Sequence, residues 1–144
     1  LVKAYPILAA SGVAGPKLRE GDQQVPEGIY AIESLNPNSR FHLALRVNYP
    51  NADDRRRALA DGRTQLGGDI MIHGSNASIG CLAMGDPASE ELFVLAALTG
   101  HQNVRVILSP VDFRQRDKVD LPSGQPSWVP ALHAQIKAEL DRYR

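Results

Sequence analysis

The sequence predicts a mainly β domain with a few α-helices packed outside its sheet, α+β by content. Three observations predict it. Short apolar or alternating runs recur between breaks rich in Gly and Pro, helical periodicity is confined to three stretches, and the strand–helix–strand alternation of a doubly wound sheet is absent. At 144 residues the chain is expected to form a single domain over 1–144 that needs no metal or disulfide staple.

Taken in order, Val2 to Ala9 reads as a strand, with Pro6 arguing for an edge position. Ser11 to Pro16 is a loop by its Gly and Pro content, and Lys17 to Glu27 is polar, with turns at Gly21-Asp22 and Pro26-Glu27-Gly28. Ile29 to Leu35 alternates as a strand, Asn36-Pro37-Asn38-Ser39 is a turn, and Phe41 to Asn48 returns as the partner strand of a hairpin. Tyr49-Pro50-Asn51 ends it. Asp53 to Ala60 forms a short helix stopped by Gly62, its acids at the end where the helix dipole favours them. Gly67-Gly68 precedes a strand over Asp69 to His73. Asp86-Pro87 opens a second helix that runs to about Leu98 and stops at Gly100. Val104 to Leu108 is a strand closed by Pro110, and Asp117 to Gln125 is loop. Ser127 is expected to cap a last helix from Trp128 to about Tyr143, with Leu132, Ile136 and Leu140 at helical spacing.

Sixteen basic and sixteen acidic residues cancel, so the chain offers no electrostatic footprint for nucleic acid or an acidic membrane surface. Arg55-Arg56-Arg57 is answered by Asp53 and Asp54, as on a solvated helix face. No apolar stretch approaches the roughly twenty residues that cross a bilayer. Four histidines and one cysteine lack zinc spacing, and no glycine loop opens a helix to cradle phosphate, so neither metal nor other cofactor is expected. A single cysteine suits the cytosol, and equally an exported protein that keeps a catalytic thiol free. The chain opens on Leu1 with no leader, which reads as a mature or trimmed form.

That cysteine, Cys81, closes the segment His73-Gly74-Ser75-Asn76-Ala77-Ser78-Ile79-Gly80-Cys81. A thiol is a weak nucleophile until its pKa falls or a base removes its proton, and a nearby imidazole does both. Gly80 suits a sharp turn that presents the sulfur, and bare backbone lets a substrate approach. The competing reading is a small buried hydrophobe beside Leu82 and Met84.

His73-Gly74 followed by Ser78-Ile79-Gly80-Cys81 resembles the active-site signature of the L,D-transpeptidase catalytic domain, the YkuD family. The blocks Gly15-Pro16-Lys17, Glu20-Gly21-Asp22 and Pro26-Glu27-Gly28-Ile29-Tyr30 agree with it. Asn36-Pro37, Tyr49-Pro50-Asn51 and Gly68-Asp69-Ile70-Met71-Ile72-His73-Gly74 resemble its YafK-like murein branch. Three features depart from the wider family. Ile79 stands where most members carry a second histidine, Leu82-Ala83-Met84 lacks a common arginine, and the step from His73 to Cys81 is short, so the loop covering the site is reduced.

The resemblance implies a YkuD-like β-sandwich and a cysteine acyl enzyme of the periplasm. Its partners would be diaminopimelate-containing peptidoglycan stem peptides and, by extension, a wall-linked lipoprotein. Cys81 would be the nucleophile and His73 the base, forming a thiolate–imidazolium pair. The Gly74 carbonyl would orient the ring, Gly80 and Cys81 N–H groups would hold the oxyanion, and Ser78 would brace the loop or serve only as a turn former. Asp69 could steer a cationic group or cap a turn. His42 could face the cleft or solvent, and Arg46 on the same strand could bind a carboxylate in bidentate fashion. His101 is expected to be structural, His133 to lie on the surface, and Trp128 to anchor the last helix. The alternative function is a catalytically silent peptidoglycan-binding module with the same fold.

Overall fold

A computed structural model of the chain describes residues 2–143. Five strands form one mixed sheet in the order β4-β3-β2-β1-β5: β1 (Gly28–Ser39), β2 (His42–Val47), β3 (Met71–His73), β4 (Leu82–Ala83) and β5 (Arg105–Leu108). The long β1 serves two neighbours in turn. Its first residues pair antiparallel with β5, from Gly28↔Leu108 to Ala31↔Arg105. From Ile32 onward it pairs antiparallel with β2, with irregularities between Ile32 and Ser34 and between Asn36 and Ser39. The strand β2 then pairs antiparallel with β3, and β3 pairs parallel with β4. Helix content is 29 % against 20 % strand, so the expected α+β content holds and the mainly β weighting does not. Among the described residues the strands make a single sheet in place of the two facing sheets of a sandwich.

Three local expectations are corrected. The hairpin reverses at Arg40-Phe41, pairing Ser39 with His42, so Asn36-Pro37-Asn38-Ser39 belongs to β1. Pro37 falls within the second irregularity, where a missing N–H breaks no ladder bond, and the Asn36 side chain accepts the Asn38 N–H at 2.9 Å. Val2 to Ala9 is not a strand. Ala9 makes one antiparallel bridge to Ala83, and only Leu8 and Ala9 come within bonding distance of β4. Ser127 caps nothing; the last helix starts after Trp128 with no side-chain cap.

The helices α1 (Ala52–Ala60), α2 (Asp86–Thr99) and α3 (Val129–Leu140) otherwise follow the sequence signals, except that Gly85 and not Asp86 stands at the N-cap of α2, which has no side-chain cap bond. Asn51 and Asp54 close a reciprocal capping box on α1, each side chain accepting the other's N–H at 3.0 Å. Burial pushes the Asp54 carboxyl up, although it takes hydrogen bonds from Asn51 and Tyr30. The main core gathers Ile32, Leu45, Val47, Ile70, Leu82 and Leu108 with Tyr30 and Tyr49. Under α3 lies a second cluster of Phe113, Leu132 and Ile136. Trp128 packs on it and donates to Asp61 at 2.9 Å, the anchoring role expected of it.

Ile136 is 0 % exposed. Ile136→Ala leaves a cavity that the small α3 cluster cannot close and should cost about 2–5 kcal/mol. Urea denaturation should show a lower midpoint at unchanged slope; a shallower slope would mean that α3 melts separately.

Candidate active site

The site is built where β3 and β4 lie side by side. Ile72 and Leu82 are paired in register and both pack into the main core, so by strand alternation Met71, His73 and Ala83 turn to the other face. His73 is nevertheless only 1 % exposed. The Phe41 ring stacks on it, with centroids 4.7 Å apart and planes at 26°.

The imidazole is held by its own backbone. His73 Nδ1 lies 2.5 Å from the carbonyl oxygen of Gly74. A carbonyl only accepts, so Nδ1 carries the proton and Nε2 is the nitrogen able to take one. Folding the next carbonyl back onto the ring needs a sharp bend, and Ser75 adopts φ +64. The bend is clamped from α2: the Asp86 side chain accepts the Ser75 N–H at 2.8 Å, and Gly85 N–H donates to the Ser75 carbonyl at 2.9 Å. Gly74 leaves no space for a side chain. A Cβ there would sit 2.5 Å from Asp86 Oδ1 and 2.9 Å from the Phe41 carbonyl oxygen.

Cys81 is half-buried, one residue before β4. The register Ile72↔Leu82 and His73↔Ala83 sets it level with Met71, two residues short of His73, or roughly 7 Å along the strand. Its thiol donates to the Asp69 carbonyl at 3.3 Å. Burial pushes the thiol pKa up and the Asp69 charge adds to this, while the Met71 N–H and the Lys17 ammonium oppose them. Among the described residues no hydrogen bond joins the sulfur to His73, so the expected thiolate–imidazolium pair is not formed in this arrangement.

The other candidates separate into groups. Gly80 has φ +76, as its turn requires, but its N–H, expected at the oxyanion, donates to Ser11 Oγ at 2.5 Å. Ser78 Oγ is buried without a partner. Arg46 and Asp69 are paired with each other at 2.5 Å, and Arg46 also reaches Glu33 at 2.9 Å. Both side chains remain open to solvent while paired, 36 % exposed at Arg46 and 78 % at Asp69. His42, at φ +68, binds Glu90 of α2 at 2.7 Å and packs its Cβ over Gly74. His133, expected on the surface, is 12 % exposed at its side chain, bonded to Glu27 at 2.7 Å and packed on Phe113.

Beside the thiol lies a polar cleft of about 170 Å³ between residues 17–23 and 67–70, closed by Ile79 and Gly80. Buried on its wall, Lys17 binds Asp22 at 2.7 Å and the Arg19 carbonyl at 3.0 Å. Ser11, Phe41, Met71 and Asp86 were not singled out by sequence. Ser11 carries no local signal, because its partner is sixty-nine residues away; Asp86 was recognised only as a helix start.

Comparison with known proteins identifies the family of the chain. The family model for the L,D-transpeptidase catalytic domain (YkuD) matches residues 1–111. YafK of Escherichia coli, a candidate L,D-transpeptidase by name, is 39 % identical over 122 residues. That match takes in 81 % of this chain and 46 % of YafK, so the chain spans under half the length of that relative. The helical cell shape determining protein Pgp2 from Campylobacter jejuni superposes with a TM-score of 0.52 at 18 % identity, over 94 % of this chain and 59 % of that one. A point mutant of Pgp2 gives 0.53 at 21 %, over 93 % and 42 %. At such identities these two structures establish the fold alone.

Two outcomes follow from the geometry. Iodoacetamide should alkylate Cys81 with a half-maximal rate at a pH above the ordinary thiol value of about 8.5; a midpoint near pH 6 would mean that His73 ionises the resting thiol. The folded chain holds that proton more tightly than the unfolded chain. Stability from this site is therefore full below about pH 8.5 and falls as pH rises through the raised value. Separately, Gly74→Ala should lower Tm and detach the His73 ring from its carbonyl, visible as a changed His73 tautomer in nitrogen NMR.

Proposed function

The chain belongs to the L,D-transpeptidase catalytic domain family, YkuD, and from that membership we propose that it is a cysteine acyl enzyme acting on peptidoglycan stem peptides. The observation that carries the reading is the bond from His73 Nδ1 to the Gly74 carbonyl. It leaves Nε2 as the only ring atom that can accept a proton, in the same region as the chain's only thiol.

The raised thiol pKa supports the part of base for the histidine. A sulfur that stays protonated at rest needs a base during attack. The thiol donates to the Asp69 carbonyl at 3.3 Å, and rotation about its Cα–Cβ bond would turn it from there toward the ring. As Cys81 Sγ forms a bond to the carbonyl carbon of an L-centred stem-peptide residue, His73 Nε2 takes the thiol proton. The carbonyl π-electrons move to oxygen, and the Cys81 N–H stabilises that charge. Collapse breaks the C–N bond, the imidazolium returns its proton to the leaving amine, and a thioester remains. A second amine, or water, then attacks the thioester carbonyl and gives a proton to His73. The thiolate leaves and is reprotonated.

The loop between His73 and Cys81 is short, and its residue Ile79 is 75 % exposed. Such a loop screens the thioester poorly from water, which favours hydrolysis over transfer. Release of a wall-linked lipoprotein through its diaminopimelate link is one such reaction. The work would be extracytoplasmic, in the periplasm, where the substrate lies, and residues 1–144 would form a single domain of the L,D-transpeptidase type. Among the described residues no helix is long and apolar enough to cross a membrane.

A second reading, a silent peptidoglycan-binding module, is favoured by one observation: the thiol bonds to Asp69 and not to His73. Incubation with defined diaminopimelate muropeptides separates the two. The acyl-enzyme reading expects cleaved or exchanged stem peptides by mass spectrometry, absent with Cys81→Ala and reduced at least about 100-fold with His73→Gln. Binding of intact muropeptides without any product, equally by the native chain and Cys81→Ala, would establish the silent module.

A further inference from the structure

We infer that Ser11 is a positioning residue for the nucleophile turn: its hydroxyl takes the Gly80 N–H and so aims the Cys81 N–H at the oxyanion. The inference rests on the acyl-enzyme reading above. Beside the outer edge of β4, Ala83 N–H donates to the Ala9 carbonyl at 2.9 Å, and Leu8 N–H donates to the Ala83 carbonyl at 2.8 Å. Antiparallel register from Ala9↔Ala83 sets Ser11 opposite Cys81. There the hydroxyl accepts from Gly80 N–H at 2.5 Å and donates to the Gln23 carbonyl at 2.6 Å. One oxygen thus ties the nucleophile turn to the segment that walls the adjoining cleft.

The strap is fixed on both sides of Ser11. Before it stands the Ala9 bridge. After it, the Gln24 side chain accepts from Val13 N–H at 2.8 Å and donates to the Val13 and Gly15 carbonyls at 2.9 and 3.0 Å. Gly12 permits that clamp, since a Cβ at this position would lie 2.1 Å from Gln24 Oε1. A serine held at both ends delivers its oxygen to one place.

The consequence reaches the chemistry through the peptide that joins Gly80 to Cys81. Gly80, at φ +76, has a wide choice of backbone geometry, and the Ser11 bond selects one. With Gly80 N–H committed to a protein acceptor, the Cys81 N–H, which has no backbone partner among the described residues, is left to meet the developing oxyanion. A turn released from Ser11 would keep its thiol and lose that aim.

Two reactions at the same sulfur test this, because acylation by a penem builds an oxyanion and alkylation by iodoacetamide does not. Native protein, Ser11→Ala and Ser11→Thr would be followed by intact-mass kinetics with both reagents, and by amide exchange at Gly80. We expect Ser11→Ala to be acylated about 10- to 100-fold more slowly, to be alkylated within about twofold of native, and to exchange the Gly80 amide faster. Ser11→Thr, which keeps the hydroxyl, should restore all three. Equal acylation rates, faster acylation in Ser11→Ala, parallel slowing of both reactions, or unchanged Gly80 exchange would each overturn the role of Ser11 while leaving the acyl-enzyme reading intact. A native chain that is alkylated at Cys81 yet never acylated would overturn that reading, and this inference with it.

Discussion

The site depends on a ring bonded to the carbonyl of the next residue. A histidine can reach that oxygen only if the chain folds back immediately after it, and every neighbouring feature serves that bend. Ser75 adopts a left-handed φ, Gly74 lacks the Cβ that would strike Asp86, and Asp86 draws the Ser75 amide toward the first turn of α2. A carboxylate at the start of a helix is stabilised there by the helix dipole, so α2 helps to set the tautomer of an imidazole it does not touch. His42 reinforces the same place from β2, packing over Gly74 while bound to Glu90 one turn further along α2.

The parallel pairing of β3 with β4 imposes a second constraint. Parallel neighbours are ordinarily joined by about a dozen residues or more, because the chain must return to the starting end of the first strand. Here residues 74–81 make the return, which is possible because β3 has three residues and β4 two. The short return brings the chain back level with Met71, and Cys81 arrives there instead of opposite His73. The separation of ring from sulfur is thus set by strand register, and closing it falls to side-chain rotation.

What was legible in the sequence is what local chemistry decides. The stops of α1 and α2 at Gly62 and Gly100, the turn at Gly80 and the family signature could all be read from neighbours in the chain. Contacts between distant segments could not. Asn36-Pro37-Asn38-Ser39 has the composition of a turn, yet pairing with β2 carries β1 through it to Ser39 and moves the reversal to Arg40-Phe41. Val2 to Ala9 has strand-like composition, but strand structure requires a partner and β4 offers one bridge. Nothing in the order of residues shows that the β2–β3 register brings Arg46 and Asp69 together. Ser11 was invisible for the same reason.

A neutral thiol at rest is compatible with catalysis, and the surroundings of Cys81 explain how. Were the sulfur permanently ionised beside the ring, it would react with any small electrophile that entered the exposed loop. Burial and the Asp69 carboxylate instead keep the proton on, while the Met71 N–H and the Lys17 ammonium stand ready to stabilise negative charge once it forms. Lys17 is itself buried against Asp22, which keeps its charge in place and out of competition for solvent. Such an arrangement makes ionisation conditional. Under the proposed function, a peptide filling the cleft beside Gly80 would exclude water from the thiol, strengthen the electrostatic contacts there, and compete for the Asp69 carbonyl that accepts from the thiol. On the proposed acyl-enzyme reading, substrate binding and activation of the thiol would then be one event, with His73 Nε2 as the acceptor.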